Sequence, residues 1–341
     1  MKVLITGGSG DIGRALGKRL DHQGWELRLI GLEDAPFDEV GGVEYDYTKC
    51  DIMDFDALKT QLQGCDAVVH LAALRSPTMA FGQEVFQINV GGTFNVYEAA
   101  AQMGIKRVVQ ASSINAIGCG WSVDEIRPQY LPLDENHPHM TNDPYSFSKQ
   151  VVEDVAAYFY RRDGISGTSV RFPGVYNRKK LGDKYFTRRE TVQNELNRLL
   201  NQPEAERKAR LEPLKAAALA LRKARGLEYA SEKRQFTAPN TDPLWSVYAF
   251  DRFNYLTSLD DRDAAQAIEK SLGASYEGSH PLFITDACNS VGLSSKKLAE
   301  LFYPEVTDWK REPRGNETLV SIDEAKALIG FSPEFSACDE I

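Results

Sequence analysis

Apolar residues fall in short runs along the first half of the chain. "KVLIT", "ELRLIGL", "AVVHLAA" and "RVVQASS" are dense in Val, Ile, Leu and Ala and bounded by polar or glycine-containing segments, as buried strands require. Between them, "GRALGKRLDHQ", "DFDALKTQLQG" and "VGGTFNVYEAAAQMG" mix apolar and charged positions as amphipathic helices do. Strand and helix alternating at this spacing predict βαβ units and a parallel sheet, the α/β class. "TSVRFPGVY" is predicted as one further strand, after a helix that carries Tyr145 and Lys149.

The pattern changes from about Lys179 to Asn240, where Arg, Lys, Glu, Ala and Leu dominate. Leu211, Leu214, Ala218 and Leu221 recur at three- and four-residue spacing, and Val192, Leu196 and Leu199 do the same in a shorter segment. Pro203 separates the two. The expectation is a helical hairpin over 188–226 with a solvated charged face. A lid or a subunit contact, as in a homodimer, is its sharper reading. "LSSKKLAELFYP" and "SIDEAKALIGF" then predict two helices of a smaller second lobe. The expected organisation is 1–178 as a dinucleotide-binding domain, 179–240 as the helical insertion, and 241–341 as a substrate lobe with returning sheet elements.

Composition narrows the function. A length of 341 residues allows one large domain or two lobes, and 42% hydrophobic with 26% charged residues is a normal globular balance. A net charge of -9 argues against a nucleic-acid surface and leaves room for a local basic pocket. Cys50, Cys65, Cys119, Cys288 and Cys338 are scattered and suggest free thiols in a reducing cytosol. His137 and His139 sit in a Pro-containing loop without metal-ligand spacing, so no metal is expected. The start "MKVLITGG" runs straight into a predicted strand, so no targeting peptide is expected there. With no apolar stretch long enough for a membrane span, a cytoplasmic location is expected.

"LITGGSGDIGRAL" places Gly7, Gly10 and Gly13 between the first strand and the first helix. Such a turn lets a pyrophosphate approach the helix N-terminus, where free N–H groups and the dipole favour anions. Gly7, Gly10, Asp11, Ile12 and Gly13 are therefore candidate cofactor contacts. A dinucleotide site uses a carboxylate after the second strand for the adenosine ribose. Here Gly31 stands at the expected place, followed by Glu33 and Asp34. The acidic surroundings favour NAD; Gly31 and Arg14 keep NADP open. "CDIMD" offers Asp51 and Ile52 for an adenine, with a simple turn role as the alternative for Asp51.

"DPYSFSKQ" puts Tyr145 four residues before Lys149, on one face of a helix. A fixed ammonium nearby would lower the phenol's pKa and make it a usable acid or base.

Taken in order, these segments resemble the extended short-chain dehydrogenase/reductase family, which includes sugar-nucleotide epimerases, dehydratases and uronate dehydrogenases. "TGGSGDIG", "VVHLAA", "INVGGTFNV", "VVQASSINAIG", "YSFSK", "VRFPGVY", "LDDRDAAQAI" and "SIDEAKALIGFSPE" are similar to its successive motifs. The resemblance covers most of 1–178 and resumes at about 255–335. It implies a doubly wound parallel Rossmann sheet, with Tyr145 moving a proton at a substrate hydroxyl. Lys149 would lower the phenol's pKa and hold the nicotinamide ribose, and Ser113 would hold the reacting oxygen. It also brings Leu71, Ala72, Ala73 and Asn89 to the cofactor. Asn89 is open between a structural and a relay role, and Arg171 has a structural ion pair as its alternative. Expected substrate contacts are Arg75, Ser113, Asn115, Tyr145, Asn177 and Arg178.

The chain departs from that pattern after the strand "RFPGVY". Nucleotide-sugar members carry Asn where this chain has Gly174, and Asn177 stands where glycine is usual. The expected function is an NAD(P)-dependent oxidoreductase acting on a secondary alcohol or hemiacetal of a sugar or sugar acid. A nucleotide-sugar epimerase or dehydratase that recycles bound NAD is the alternative, and a non-enzymatic dinucleotide sensor the third reading.

Overall fold

Successive residues of the central strands pack on opposite sides of one sheet. The computed structural model describes residues 1–34, 46–125, 127–226, 228 and 242–336. Its strands are β1 (Lys2–Thr6), β2 (Glu26–Gly31), β3 (Asp46–Lys49), β4 (Ala67–His70), β5 (Val108–Ser113), β6 (Gly167–Phe172), β7 (Gly174–Tyr176), β8 (Ser258–Asp260) and β9 (Ser279–Phe283). Its helices are α1 (Asp11–Asp21), α2 (Phe55–Gln61), α3 (Gly82–Phe86), α4 (Gly92–Gln102), α5 (Pro144–Asp163), α6 (Arg178–Leu200), α7 (Glu204–Lys223), α8 (Trp245–Ala249), α9 (Asp261–Gly273), α10 (Ser295–Phe302) and α11 (Asp323–Ile329).

Seven strands lie in the order β3-β2-β1-β4-β5-β6-β9, all parallel. Val3 and Ile5 join Leu16 and Leu20 of α1 and Ala264 and Ile268 of α9. Leu4 faces the other way, into Val96 and Ala100 of α4 and Val155 and Phe159 of α5. This two-sided burial gives the near-continuous apolar strands of the sequence, and the doubly wound Rossmann fold it predicts. The strand order reverses between β1 and β4, which opens a crevice at their C-terminal ends, where such sheets bind ligands.

The predicted strand "TSVRFPGVY" is two strands. Pro173 has no N–H for the ladder, so β6 stops at Phe172 and β7 leaves to pair with β8. The insertion is two helices, with α6 starting earlier than expected, at Arg178, and Pro203 before α7. Val192, Leu196, Leu199, Leu211, Leu214 and Ala218 are buried together with Trp245, Tyr248, Leu298 and Phe302 of the second lobe. The stripe thus closes a core within one chain. Residues 229–240, the end of the expected insertion, lie outside the described residues. The segment after it supplies that lobe, with α10, and three sheet-domain elements, β9, α9 and α11; "SIDEAKALIGF", expected in the second lobe, instead buries Ala325 and Ile329 in the sheet core beside α9.

Cys50, Cys65 and Cys119 are buried free thiols. Cys288 corrects the expectation of free thiols throughout, because it is disulfide-bonded. It lies where the C-terminal segment folds over the 286–288 loop, with Ser336 Oγ donating to Asp286 Oδ1 at 2.6 Å. Cys338 lies outside the described residues. No described helix is long and apolar enough to cross a membrane, and no described His, Cys, Asp and Glu group could hold a metal ion.

Candidate active site

The glycine turn is shaped by two of its three spaced glycines. Gly7 has φ +66°, and a Cβ on it would lie 2.8 Å from Ala72 N. A Cβ on Gly13 would lie 2.6 Å from Gly8 O. Gly10 is different: its nearest neighbour would be Gly7 O at 3.4 Å, an ordinary contact. The protein does not fill the space over Gly10, where a pyrophosphate needs close backbone approach. Gly10 is the N-cap of α1 and has no side chain to occupy the first-turn N–H groups of Asp11, Ile12 and Gly13. Leu71 and Ala72 donate their N–H groups to Thr6 Oγ1, which brings the 71–73 segment against the turn. These residues fit a dinucleotide phosphate.

At the end of β2, Glu33 folds back over Gly31. Its Oε2 accepts from Ser9 Oγ at 2.6 Å, and Tyr47 Oη donates to its backbone oxygen at 3.0 Å. The Ser9 bond holds the Glu33 carboxyl below the usual range. A Cβ on Gly31 would be 2.8 Å from that carboxylate oxygen, so the glycine makes room for the acid. Asp34 turns away to pair with Lys49 at 2.5 Å. Asp51 accepts from Met53 N at 2.9 Å, closing a turn, and Ile52 is buried in the core.

Ser113 ends β5 and Tyr145 opens α5, which Asp143 caps by accepting from Ser146 N at 2.9 Å. Ser113 Oγ accepts from Asn115 N at 3.1 Å and Asn115 Nδ2 at 3.2 Å. Burial pushes the Tyr145 phenol up to about 12, against the opposing pull of the nearby Ser113 hydroxyl. Lys149, one turn on, is fully enclosed, and burial brings it down to about 8 while Glu153 opposes the change. Its Nζ donates to Ala111 O at 2.8 Å and lies 6.0 Å from the Tyr145 ring centre. The phenol thus stands above its ordinary value in this structure, not below it as the resemblance implied: burial dominates, and the Lys149 ammonium is turned toward the Ala111 carbonyl.

A buried polar chain that the sequence reading missed joins the turn to this helix. Thr6 Oγ1 meets His70 Nδ1 at 2.8 Å, His70 Nε2 meets Thr93 Oγ1 at 3.0 Å, and Thr93 Oγ1 donates to Asn89 O at 2.6 Å. Since Thr93 spends its proton on Asn89, His70 Nε2 must donate and Nδ1 must accept. Burial pushes His70 down to about 3, so it stays neutral in this arrangement. Asn89 Oδ1 accepts from Leu74 N at 2.8 Å; Nδ2 donates to Leu74 O and to Ser148 Oγ, both at 3.0 Å. Ser148 Oγ donates to Tyr145 O at 2.7 Å. Only the histidine within "VVHLAA" was a visible signal of this chain.

The other expected substrate residues are less gathered. Arg178 is exposed, and Arg75, also exposed, lies near enough to Tyr145 for its charge to act on the phenol. Asn177 donates to Asp261 Oδ2 at 2.5 Å and caps α6 through Lys180 N at 3.2 Å, so its amide is engaged in structure. Lys180 reaches back to pair with Asp11 at the glycine turn. A cavity of about 690 Å³ lined by Arg107, Tyr160 and Tyr276 lies at the opposite, N-terminal ends of β5 and β6, away from all these groups.

The model of the NAD dependent epimerase/dehydratase family matches residues 3–201. The chain belongs to that family. A uronate dehydrogenase of Pseudomonas putida is 34% identical over 184 residues, 53% of this chain and 65% of that protein. An L-arabinose 1-dehydrogenase (NAD(P)(+)) of Haloferax volcanii is 30% identical over 188 residues, 54% of this chain and 70% of that one. The match spans less than two thirds of the length of the uronate dehydrogenases. In structure, this family member is similar to a short-chain dehydrogenase/reductase superfamily protein from Agrobacterium tumefaciens with bound NAD. That likeness has a TM-score of 0.63 at 21% identity, covering 100% of this chain and 95% of the other.

Proposed function

We propose that this protein is an NAD-dependent oxidoreductase that oxidises a secondary alcohol or hemiacetal carbon of a sugar or sugar acid. The carrying observation is that Ser113 at the end of β5 lies close enough to Tyr145 for its hydroxyl to act on the phenol, with Lys149 one turn along α5. NAD, when bound, supplies the hydride acceptor. Ser113 and Tyr145 would hold the substrate oxygen, and Tyr145, once its own proton has passed to solvent, would take the hydroxyl proton as its phenolate while the C–H hydride passes to NAD. Lys149 has donors left beyond its bond to Ala111 O, and these hold the nicotinamide ribose. Asn115 fixes the Ser113 hydroxyl, and the chain from Asn89 to Ser148 fixes the first turn of α5.

Glu33 supports NAD over NADP, because its carboxylate beside Ser9 favours ribose hydroxyls and repels a phosphate. Gly174 supports a free sugar over a nucleotide sugar: it is exposed, with no atom within 4 Å of a Cβ built there, where nucleotide-sugar members carry an amide. The likeness to a uronate dehydrogenase supports a sugar acid. The test is an absorbance screen for reduced nicotinamide with NAD or NADP and D-glucuronate, L-arabinose, glucose 6-phosphate or UDP-glucose. Reduction with D-glucuronate or L-arabinose is expected. Conversion of UDP-glucose without net reduction would favour the epimerase reading instead.

A further inference from the structure

Trp121 lies in the loop after Ser113, and its neighbours on both sides are tied to the catalytic pair. On one side, Gly120 N donates to Asn115 Oδ1 at 2.5 Å, and Asn115 Nδ2 donates to Ser113 Oγ at 3.2 Å. On the other, Val123 N donates to Asn142 Oδ1 at 3.1 Å. Asn142 precedes Asp143, the cap of the helix whose first turn carries Tyr145. Trp121 and Leu74, both half-buried, pack against a buried cluster of Ala80, Val85 and Tyr145. An indole is thus fixed beside the reacting residue, with part of its surface left accessible.

The same loop is held from the insertion. Arg222 of α7 is 1% exposed. Its Nη1 donates to Ser122 O at 2.7 Å and its Nη2 to Ala249 O of α8 at 2.6 Å, and its guanidinium stands 3.6 Å from the Phe253 ring centre. A guanidinium buried on backbone carbonyls is costly to keep. Here it clamps the residue next to Trp121 to two helices that pack in the core of the second lobe.

A sugar ring is apolar on the face where its C–H groups point and polar at its rim. Such a face packs on an aromatic ring, whose π-cloud is negative, and ligand sites combine aromatic walls with a few polar groups that orient the ligand. We propose that Trp121 is a substrate contact, its indole receiving the C–H face of the sugar whose carbon is oxidised at Tyr145, and that Arg222 is the positioning residue that holds it there. This rests on the sugar-oxidation reading. It adds a specificity element and gives the helical insertion a part in substrate binding.

The experiment measures kcat and KM for whichever of D-glucuronate and L-arabinose wild type oxidises better. The chains are wild type, Trp121→Phe, Trp121→Leu, Arg222→Met and Trp121→Leu/Arg222→Met, with NAD affinity by calorimetry and thermal unfolding alongside. Trp121→Leu, which still fills apolar space, should raise KM about three- to tenfold, the range for one aromatic contact, with kcat little changed. Trp121→Phe, which keeps an aromatic face, should stay within about twofold of wild type. Arg222→Met should raise KM where Trp121 is present and add nothing in Trp121→Leu. If Arg222→Met does not fold, Arg222→Lys replaces it in both chains. NAD affinity should be unchanged throughout. An unchanged KM in Trp121→Leu, or an equal rise in Trp121→Phe, overturns the substrate contact while sugar oxidation stands, and so does a Trp121→Leu chain that only unfolds at lower temperature. An Arg222 effect of the same size with and without Trp121 overturns its positioning role. If wild type oxidises neither sugar, the functional reading and this one both fail.

Discussion

Arg171 and Glu153 meet in a buried, two-pronged ion pair, Nε to Oε1 at 2.9 Å and Nη2 to Oε2 at 2.8 Å. The pair joins β6 to α5 one turn beyond Lys149, and Ser112 Oγ also donates to Glu153 at 2.5 Å. It therefore fixes the helix that carries Tyr145 against the strand that carries Ser113. Removing one partner leaves an uncompensated charge in the interior. Arg171→Met should lower stability by about 3–5 kcal/mol, and Arg171→Met/Glu153→Leu by less, since the stranded charge is gone. Urea denaturation of the two variants measures this; equal losses would refute the ion-pair account.

Lys149 should leave a mark on stability against pH. Its folded value is about 8, below the ordinary 10.5. Below about pH 8 both states hold the proton, and the folded state carries the full cost of a buried ammonium. Between about 8 and 10.5 the unfolded chain binds a proton that the folded one does not, so this group's contribution to stability rises with pH. Lys149→Met removes the effect. The stability of the variant relative to wild type should be most favourable below pH 8 and decline steadily to pH 10.5. A difference that stays flat over that window would mean the lysine is not held in a desolvated site.

Cofactor choice should follow Glu33. Glu33→Ala is expected to narrow the preference for NAD over NADP by about tenfold, an order typical of removing one charged hydrogen-bond partner. Calorimetric titration with both cofactors checks it. If wild type binds NADP more tightly, then Gly31 and Arg14 govern the choice.

The insertion should behave as core. Leu214 is 2% exposed and packs among residues of the second lobe. Leu214→Ala should cost about 2–5 kcal/mol. NAD affinity should hold, because the glycine turn belongs to other parts of the fold. Thermal unfolding and calorimetry on the same preparation test both halves.

The sheet was readable because burial on both faces leaves continuous apolar runs, and glycines mark the turn. Other features depend on distant partners. Pro173 hid a strand break inside an apolar run. β9 reads "SHPLF", with too little pattern to reveal an edge strand. The chain Thr6–His70–Thr93–Asn89 joins three separate segments, and no local spacing announces it. Asn177 looked available for substrate until Asp261 was brought beside it. For Tyr145, sequence supplied the lysine one turn away but not the depth of burial that raises the phenol.

The most direct measurement compares turnover of wild type and Tyr145→Phe, following reduced nicotinamide with NAD and D-glucuronate and checking NAD affinity in both. Only the phenolic hydroxyl can carry the proton, and loss of general acid–base work typically lowers rates by ~10²–10⁴-fold. The account predicts a fall of that size in kcat with NAD affinity retained. A variant that keeps more than half of wild-type turnover would contradict it.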